Sequence, residues 1–197
     1  MKNSELTYKE IYGQPVSFQA VNDTLDTIFK TLDEVFAEKY DEVIFTGCGT
    51  SLYLAQASAH AFSTCTGISA KGMCCSELYY FPETYVGNGK KVLVVPMTRK
   101  SYTTEVRMAI DKVRSYPGVK SLAITCDPDS SKYNDYMLLS PETPEDSVIM
   151  TRSFTSMIYL AVVMSYYVGG KKEKIEQLKD YAANAESFLK ATDEMAK

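Results

Sequence analysis

The chain has 197 residues, enough for one sizeable domain with a real core and tight for two. Its 45% apolar and 23% charged content is ordinary for a globular protein, and a net charge of -4 without a Lys/Arg cluster argues against a nucleic-acid partner. No run reaches the ~18 apolar residues of a membrane span, and Met1–Glu10 lacks an apolar signal core, so no membrane partner and a cytoplasmic location are expected.

In chain order, Val16–Phe36 carries a helical stripe of Val21, Leu25, Ile28, Phe29, Leu32, Val35 and Phe36. A strand is predicted at Glu42–Thr46, then a glycine turn and a helix over Ser51–Cys65. Ser69–Cys75 reads as a second strand and Ser76–Phe81 as a helical turn stopped by Pro82. Lys91–Pro96 is the clearest buried strand, followed by the polar loop Met97–Thr103 and a helix over Thr104–Ser115. Val119–Thr125 is another strand, and Tyr136–Leu139 a short one at an edge. Beyond the acidic, proline-bearing loop Ser140–Ser147, an apolar helix spans Thr151–Val168 and stops at Gly169-Gly170. Lys171–Lys197 is amphipathic, with Ile175, Leu178, Ala182, Ala185 and Leu189 at helical spacing. The organisation expected is a leader and helix over 1–40, a sheet-bearing domain over 41–170 and a terminal helix over 171–197. Strands alternating with helices predict a mainly parallel sheet covered on both faces.

The most informative stretch is Glu42-Val-Ile-Phe-Thr-Gly-Cys-Gly-Thr-Ser51. A strand breaks there into two glycines and two hydroxyls at the start of a helix. Such a junction offers unpaired backbone N–H groups and the positive end of a helix dipole to an anion. Ligands of parallel sheets sit at the carboxyl ends of the strands. Three segments present hydroxyls at strand ends or helix starts: Gly47–Ser51, Thr98–Thr103 and Val148–Thr155. Their convergence would make a phosphate site.

In order, these segments resemble the sugar isomerase (SIS) domain family. Gly47-Cys-Gly-Thr-Ser51 is similar to its G-x-G-T-S turn. Val94-Val-Pro-Met-Thr-Arg-Lys-Ser-Tyr-Thr-Thr-Glu105 stands where the family has a strand and S-R/Q-S-G-[EDN]-T-x-E. Glu145-Asp-Ser-Val-Ile-Met-Thr-Arg-Ser-Phe-Thr-Ser156 resembles E-x-x-V-A-x-T-K/S-x-F-T. Thr7-Tyr-Lys-Glu-Ile-Tyr-Gly-Gln-Pro15 resembles the T-x-x-E-I-x-x-Q-P leader of enzymes with two such domains, so the resemblance covers residues 7–170. It implies a three-layer, flavodoxin-like α/β/α sandwich with a five-stranded sheet. The implied ligand is a sugar phosphate, and the implied chemistry is aldose–ketose isomerisation or amino-sugar-phosphate deamination, with no metal or organic cofactor. A non-catalytic phosphosugar sensor and an isomerase-derived domain with a degenerate site are the alternatives. The partner implied is a second SIS domain or a second copy in a dimer. The domain is then either a piece of a longer protein or a unit that must assemble.

The candidate phosphosugar-binding residues are Gly47, Cys48, Gly49, Thr50, Ser51, Thr98, Arg99, Lys100, Ser101, Thr103, Met150, Thr151 and Arg152. Three residues of the second loop depart from the family pattern: among the candidates Lys100 replaces a serine and Ser101 a glycine, and beside them Tyr102 replaces an acidic or amide residue. Lys100 either pairs with the phosphate or fills the pocket, and Ser101 is costly if the loop needs a positive φ. Glu77, after the second strand, is the candidate catalytic base, whose pKa burial would raise; its other reading is a carboxylate complementing a helix dipole. Glu145 orders loops or a subunit contact, Glu105 caps its helix, and the single histidine, His60, packs or sits at an interface. Arg99 and Arg152 either pair with phosphate or are solvated. The five cysteines show no CxxC spacing and read mostly as small buried hydrophobes; Cys48 has the added option of activation at a helix N-terminus. No metal-ligand spacing is present.

Overall fold

The computed structural model describes residues 3–87 and 89–195. Five strands, β1 (Glu42–Gly47), β2 (Ala70–Cys74), β3 (Val92–Thr98), β4 (Val119–Thr125) and β5 (Tyr136–Leu139), form one parallel sheet in the order β2-β1-β3-β4-β5. β5 takes the edge expected of it. The sheet alternates strictly although both faces are buried. Val43, Phe45, Leu93, Val95 and Met97 face one core, and Ile44, Val92 and Val94 the other.

The first core is closed by α2 (Gln14–Asp23), α3 (Leu25–Val35), α4 (Thr50–Thr66), α8 (Arg152–Val168) and α9 (Lys172–Met195). The second is closed by α5 (Cys75–Tyr80), α6 (Pro82–Val86) and α7 (Thr104–Val113). The result is the three-layer α/β/α sandwich. Each fully buried side chain such as Phe45, Phe62 or Leu93 contributes about 1.5–3 kcal/mol.

Local departures from the sequence reading have local causes. The stripe over Val16–Phe36 is two helices, because Thr24 leaves helical geometry at φ -108°, ψ 8° and its hydroxyl donates to the Val21 carbonyl at 3.0 Å. The leader forms α1 (Asn3–Tyr12), ending at Gly13. Pro82 stops α5 and opens α6 as its first residue, where a missing N–H costs nothing. Residues 196–197, within the predicted terminal helix, lie outside the described residues.

α4 lies unusually close to its neighbours. A Cβ on Gly72 of β2 would stand 2.4 Å from Gln56 Cα, and one on Gly169 would stand 2.5 Å from the Cys65 carbonyl oxygen. Among the described residues, no helix is long and apolar enough to cross a membrane.

Candidate functional site

The strand order reverses direction between β1 and β3, with β2 outside β1. In parallel sheets this leaves a crevice above the carboxyl ends of the two strands. The β1–α4 turn and the β3–α7 loop project there, and the segment entering α8 closes it.

The turn is built by its glycines. A Cβ on Gly47 would stand 2.4 Å from the Ser51 carbonyl oxygen and 2.5 Å from its carbon. Gly49 adopts φ 55°, ψ -125°, a conformation closed to most side chains. The first turn of α4 closes through Ser51 N–H to the Cys48 carbonyl and Leu52 N–H to the Gly49 carbonyl, both at 3.1 Å. Gly49 supplies no capping side chain, so the end of α4 keeps its positive potential.

A cleft of about 190 Å³ opens beside this helix end. It brings together seven of the thirteen candidate residues: Cys48, Ser51, Thr98, Arg99, Lys100, Thr103 and Met150. Gly47, Gly49 and Thr50 shape the turn. Ser51 is buried, and its hydroxyl lies 3.9 Å from the Met150 sulfur, joining the first segment to the third.

The second loop is tied from inside. The hydroxyls of Thr98 and Thr103 donate to the Lys100 carbonyl at 2.7 and 3.1 Å. Ser101 turns away from the cleft, its N–H and hydroxyl both donating to one Asp127 carboxylate oxygen at 2.9 and 2.8 Å. Burial pushes the Asp127 carboxyl up, but these two bonds and the Asp129 N–H outweigh it, and its pKa is lowered. Ser101 is not among the residues with positive φ, so its replacement of a glycine carries no backbone strain. Lys100 is exposed, and among the described residues no carboxylate pairs with it within 4 Å.

The third segment serves a different end. Glu145 accepts from the Thr151 N–H (2.7 Å), the Thr151 hydroxyl (2.8 Å), the Ser153 N–H and the Ser153 hydroxyl. Its carboxylate therefore occupies the N-terminus of α8, where an anion would otherwise sit. The oxygen that accepts the Ser153 hydroxyl, Oε2, also pairs with Arg99 Nη1 at 3.1 Å, and that same nitrogen donates to the Ser147 carbonyl at 3.0 Å. Burial raises the Glu145 carboxyl, but the bonds from Ser153, Thr151 and Arg99 together bring its pKa below the ordinary value. Thr151 and Arg99 are thus committed to Glu145. Arg152 is directed at the α1–α2 junction, where a Cβ on Gly13 would meet its Nη1 at 2.8 Å. Glu145 orders loops, as expected.

Glu77 does not meet the requirement set for a general base. It is exposed, its carboxylate accepts from the Tyr85 hydroxyl, and it is absent from the cleft lining. It lies in the first turn of the short helix α5, the place of a carboxylate that complements the helix dipole. His60 is likewise exposed on α4 rather than packed. Asp127 and Glu10 were not singled out from the sequence. The string Cys126-Asp-Pro128 at a strand end was the available signal for the first, and the Glu-Ile of the leader for the second.

Cys48 faces the cleft with Cys75 and Cys74 behind it, at the end of the β1–β2 ladder where Gly47 pairs with Cys74. The hydrogen bond from the Cys75 thiol lowers the Cys48 pKa to about 7 against the opposing effect of burial, and it pushes the Cys75 thiol up. Of the five free cysteines, Cys48 is expected to alkylate first, with a rate that rises through about pH 7. Peptide mapping after brief iodoacetamide treatment checks this, and millimolar inorganic phosphate should slow Cys48 alone.

A parallel sheet switched at β1/β3, with a hydroxyl-bearing helix end at the switch point, defines a doubly wound α/β domain. The SIS domain profile matches residues 37–168, and the chain belongs to the SIS domain family. It is 26% identical over 166 residues to the glutamine–fructose-6-phosphate aminotransferase (isomerizing) of Helicobacter pylori, an alignment covering 82% of this chain and 27% of that protein. Among solved structures, tagatose-6-phosphate ketose/aldose isomerase from Escherichia coli superposes with a TM-score of 0.79 at 21% identity, covering 94% of this chain and 53% of that one. The C-terminal domain of glucosamine-fructose-6-phosphate aminotransferase from Francisella tularensis gives 0.77 at 18%, covering 96% and 57%. These two likenesses speak to the fold. The chain spans about a quarter of the curated relative's length and about half that of the solved chains.

Proposed function

We propose that the cleft binds the phosphate of a phosphorylated sugar. The observation that carries this is the meeting of all three hydroxyl-bearing segments at the uncapped end of α4, beside Lys100. The geometry divides the labour among the hydroxyls. Thr98 and Thr103 spend their protons on the Lys100 carbonyl, leaving the Ser51 hydroxyl, the turn's N–H groups and the Lys100 ammonium to face the ligand. An ammonium–phosphate contact then stands where a neutral serine hydrogen bond is usual.

Isomerisation moves a proton between neighbouring sugar carbons, which needs a carboxylate or similar base within hydrogen-bond reach. Among the described residues no Asp or Glu lines this cleft, and Glu77 lies elsewhere. The reading for an isomerase or deaminase is therefore that the base comes from a second domain or a second copy, in the cytoplasm and without a metal or organic cofactor. The same observation favours a second reading, a domain that binds the phosphosugar and does no chemistry.

Calorimetric titration with hexose and hexosamine 6-phosphates, with the free sugars and inorganic phosphate as controls, tests the reading. Saturable binding that requires the phosphate is expected. Lys100→Ala should weaken it about 10-fold or more, the worth of a hydrogen bond to a charged group. Equal binding of free sugar, or no binding by the folded chain, overturns it. Deuterium wash-in from solvent at C1 or C2 of the bound sugar separates the enzyme from the sensor.

A further inference from the structure

The cleft's second loop is held from the far end of the chain. Arg99, between Thr98 and Lys100, is gripped on two sides, by Glu145 and by the Ser147 carbonyl. Ser147 is itself held by Glu10 of α1. One Glu10 oxygen accepts the N–H groups of Asp146 (2.7 Å) and Ser147 (3.1 Å), and the other accepts the Ser147 hydroxyl. Glu10 is only 2% exposed, an unusual position for a carboxylate on a weakly amphipathic helix. Burial raises its carboxyl, yet the bonds from Ser147 and Asp146 outweigh burial and the Glu145 charge, and it stays ionised at neutral pH.

We propose that Glu10 is a positioning residue for the cleft: it fixes the 145–147 segment so that the Ser147 carbonyl and Glu145 hold Arg99, and with it the loop that carries Lys100. The inference rests on the phosphosugar reading only for what the loop binds, not for the relay itself. A helix serving merely as a cover for the core would bury apolar side chains against it. α1 instead contributes a carboxylate with three hydrogen-bond donors on one loop. Without that carboxylate the buried Ser147 N–H and the partly buried Asp146 N–H lose their acceptor, the segment relaxes toward water, and the Ser147 carbonyl no longer meets Arg99 at a fixed place. Glu145 then holds the guanidinium alone, and the Thr98–Thr103 loop gains a freedom it lacks.

The test compares the full chain with Glu10→Ala and the near-isosteric Glu10→Gln, reading backbone amide hydrogen exchange and the affinity for inorganic phosphate and hexose 6-phosphates. The expected result is faster exchange for amides 98–103 by about 10-fold in Glu10→Ala, with β4 protection intact, and phosphate affinity lower by a similar factor. Glu10→Gln, which keeps one acceptor oxygen, should fall between. In an Arg99→Ala background, Glu10→Ala should add little further exchange in the loop, because both act through one contact. Exchange that rises only in α1, or effects of Glu10 and Arg99 that add in full, would overturn the relay. If Glu10→Ala fails to fold, the Glu10→Gln comparison decides by the same criteria. A wild-type chain that binds none of the probes overturns the phosphosugar reading, while the exchange measurement still judges the relay.

Discussion

Glu145→Ala is expected to lower the stability of the chain by about 3–5 kcal/mol, the cost of removing one partner of a buried ion pair. The Glu145 side chain is fully buried and the Arg99 side chain 23% exposed, so water does little to screen the pair. The loss is compounded at α8, whose first N–H groups and the Thr151 and Ser153 hydroxyls lose their common acceptor. For a chain of this size the melting temperature should drop by on the order of 10 °C, measurable by circular dichroism. Glu145→Gln should fall less, because an amide oxygen still accepts while the charge on Arg99 goes unanswered. The pH dependence has a definite sign. The folded-state pKa is depressed, so this carboxylate's contribution is fully present above its unfolded value of about 4.3 and is lost as pH falls through the lower folded value. Urea midpoints between pH 7 and pH 3 should therefore fall more steeply for the wild type than for Glu145→Gln. Parallel slopes would mean that Glu145 is not the group responsible.

Gly47→Ala should remove ligand binding and destabilise the fold together. The added methyl group would meet the Ser51 carbonyl oxygen at 2.4 Å, and a backbone atom cannot swing aside as a side-chain tip can. Either β1 or the first turn of α4 must shift, at or beyond the upper end of the about 1–3 kcal/mol typical of overpacking. A displaced helix start carries the Ser51 hydroxyl and the turn N–H groups away from the cleft. Gly67→Ala is the control at the other end of α4: its φ of 74° makes alanine strained, but nothing stands within 4 Å of the new Cβ. It should cost about 1 kcal/mol and leave phosphate affinity unchanged. Denaturant midpoints and the same titrations read both variants. Gly47→Ala with intact affinity would remove the β1–α4 turn from the site.

The parts of this molecule that were legible in its sequence are those set by short-range chemistry. Val92–Val95 is apolar throughout, and only a strand buried on both faces or a buried helix accommodates that; Pro96 and the glycines nearby favour the strand. The Gly-Cys-Gly-Thr-Ser turn announces itself because close approach and unusual φ restrict the residues allowed. Thr24 was hidden because threonine is tolerated within helices, and its hydroxyl and N–H both turn to the Val21 carbonyl where α2 ends. α1 has little amphipathic signal, since what it buries best is a carboxylate.

The site divided along the same line. That three segments meet was readable from the order of strands and hydroxyls. Where each side chain points was not, because Ser101 finds Asp127 and Glu10 finds Ser147 across 26 and 137 residues. Arg99, in a loop, and Arg152, at the start of α8, carry the same charge. Only the buried Glu145 beside one and Gly13 beside the other tell where each lies.

The close contacts along α4 have a consequence for how the cleft responds to what enters it. Gly47 meets the helix at Ser51, Gly72 at Gln56 and Gly169 at Cys65, so backbone bears on backbone at the start, the middle and the end of the same rod. Such a helix has no room to slide, tilt or rotate without breaking several contacts at once. Its anion-attracting end is therefore rigid before any ligand arrives, and the entropic cost of ordering it falls on folding rather than on binding. The 99–103 loop is held differently, by single hydrogen bonds and the Arg99–Glu145 ion pair. On the phosphosugar reading proposed above, capture of the phosphate would fall to a helix end fixed by backbone contacts, and discrimination among its carriers to a loop fixed by side-chain ones.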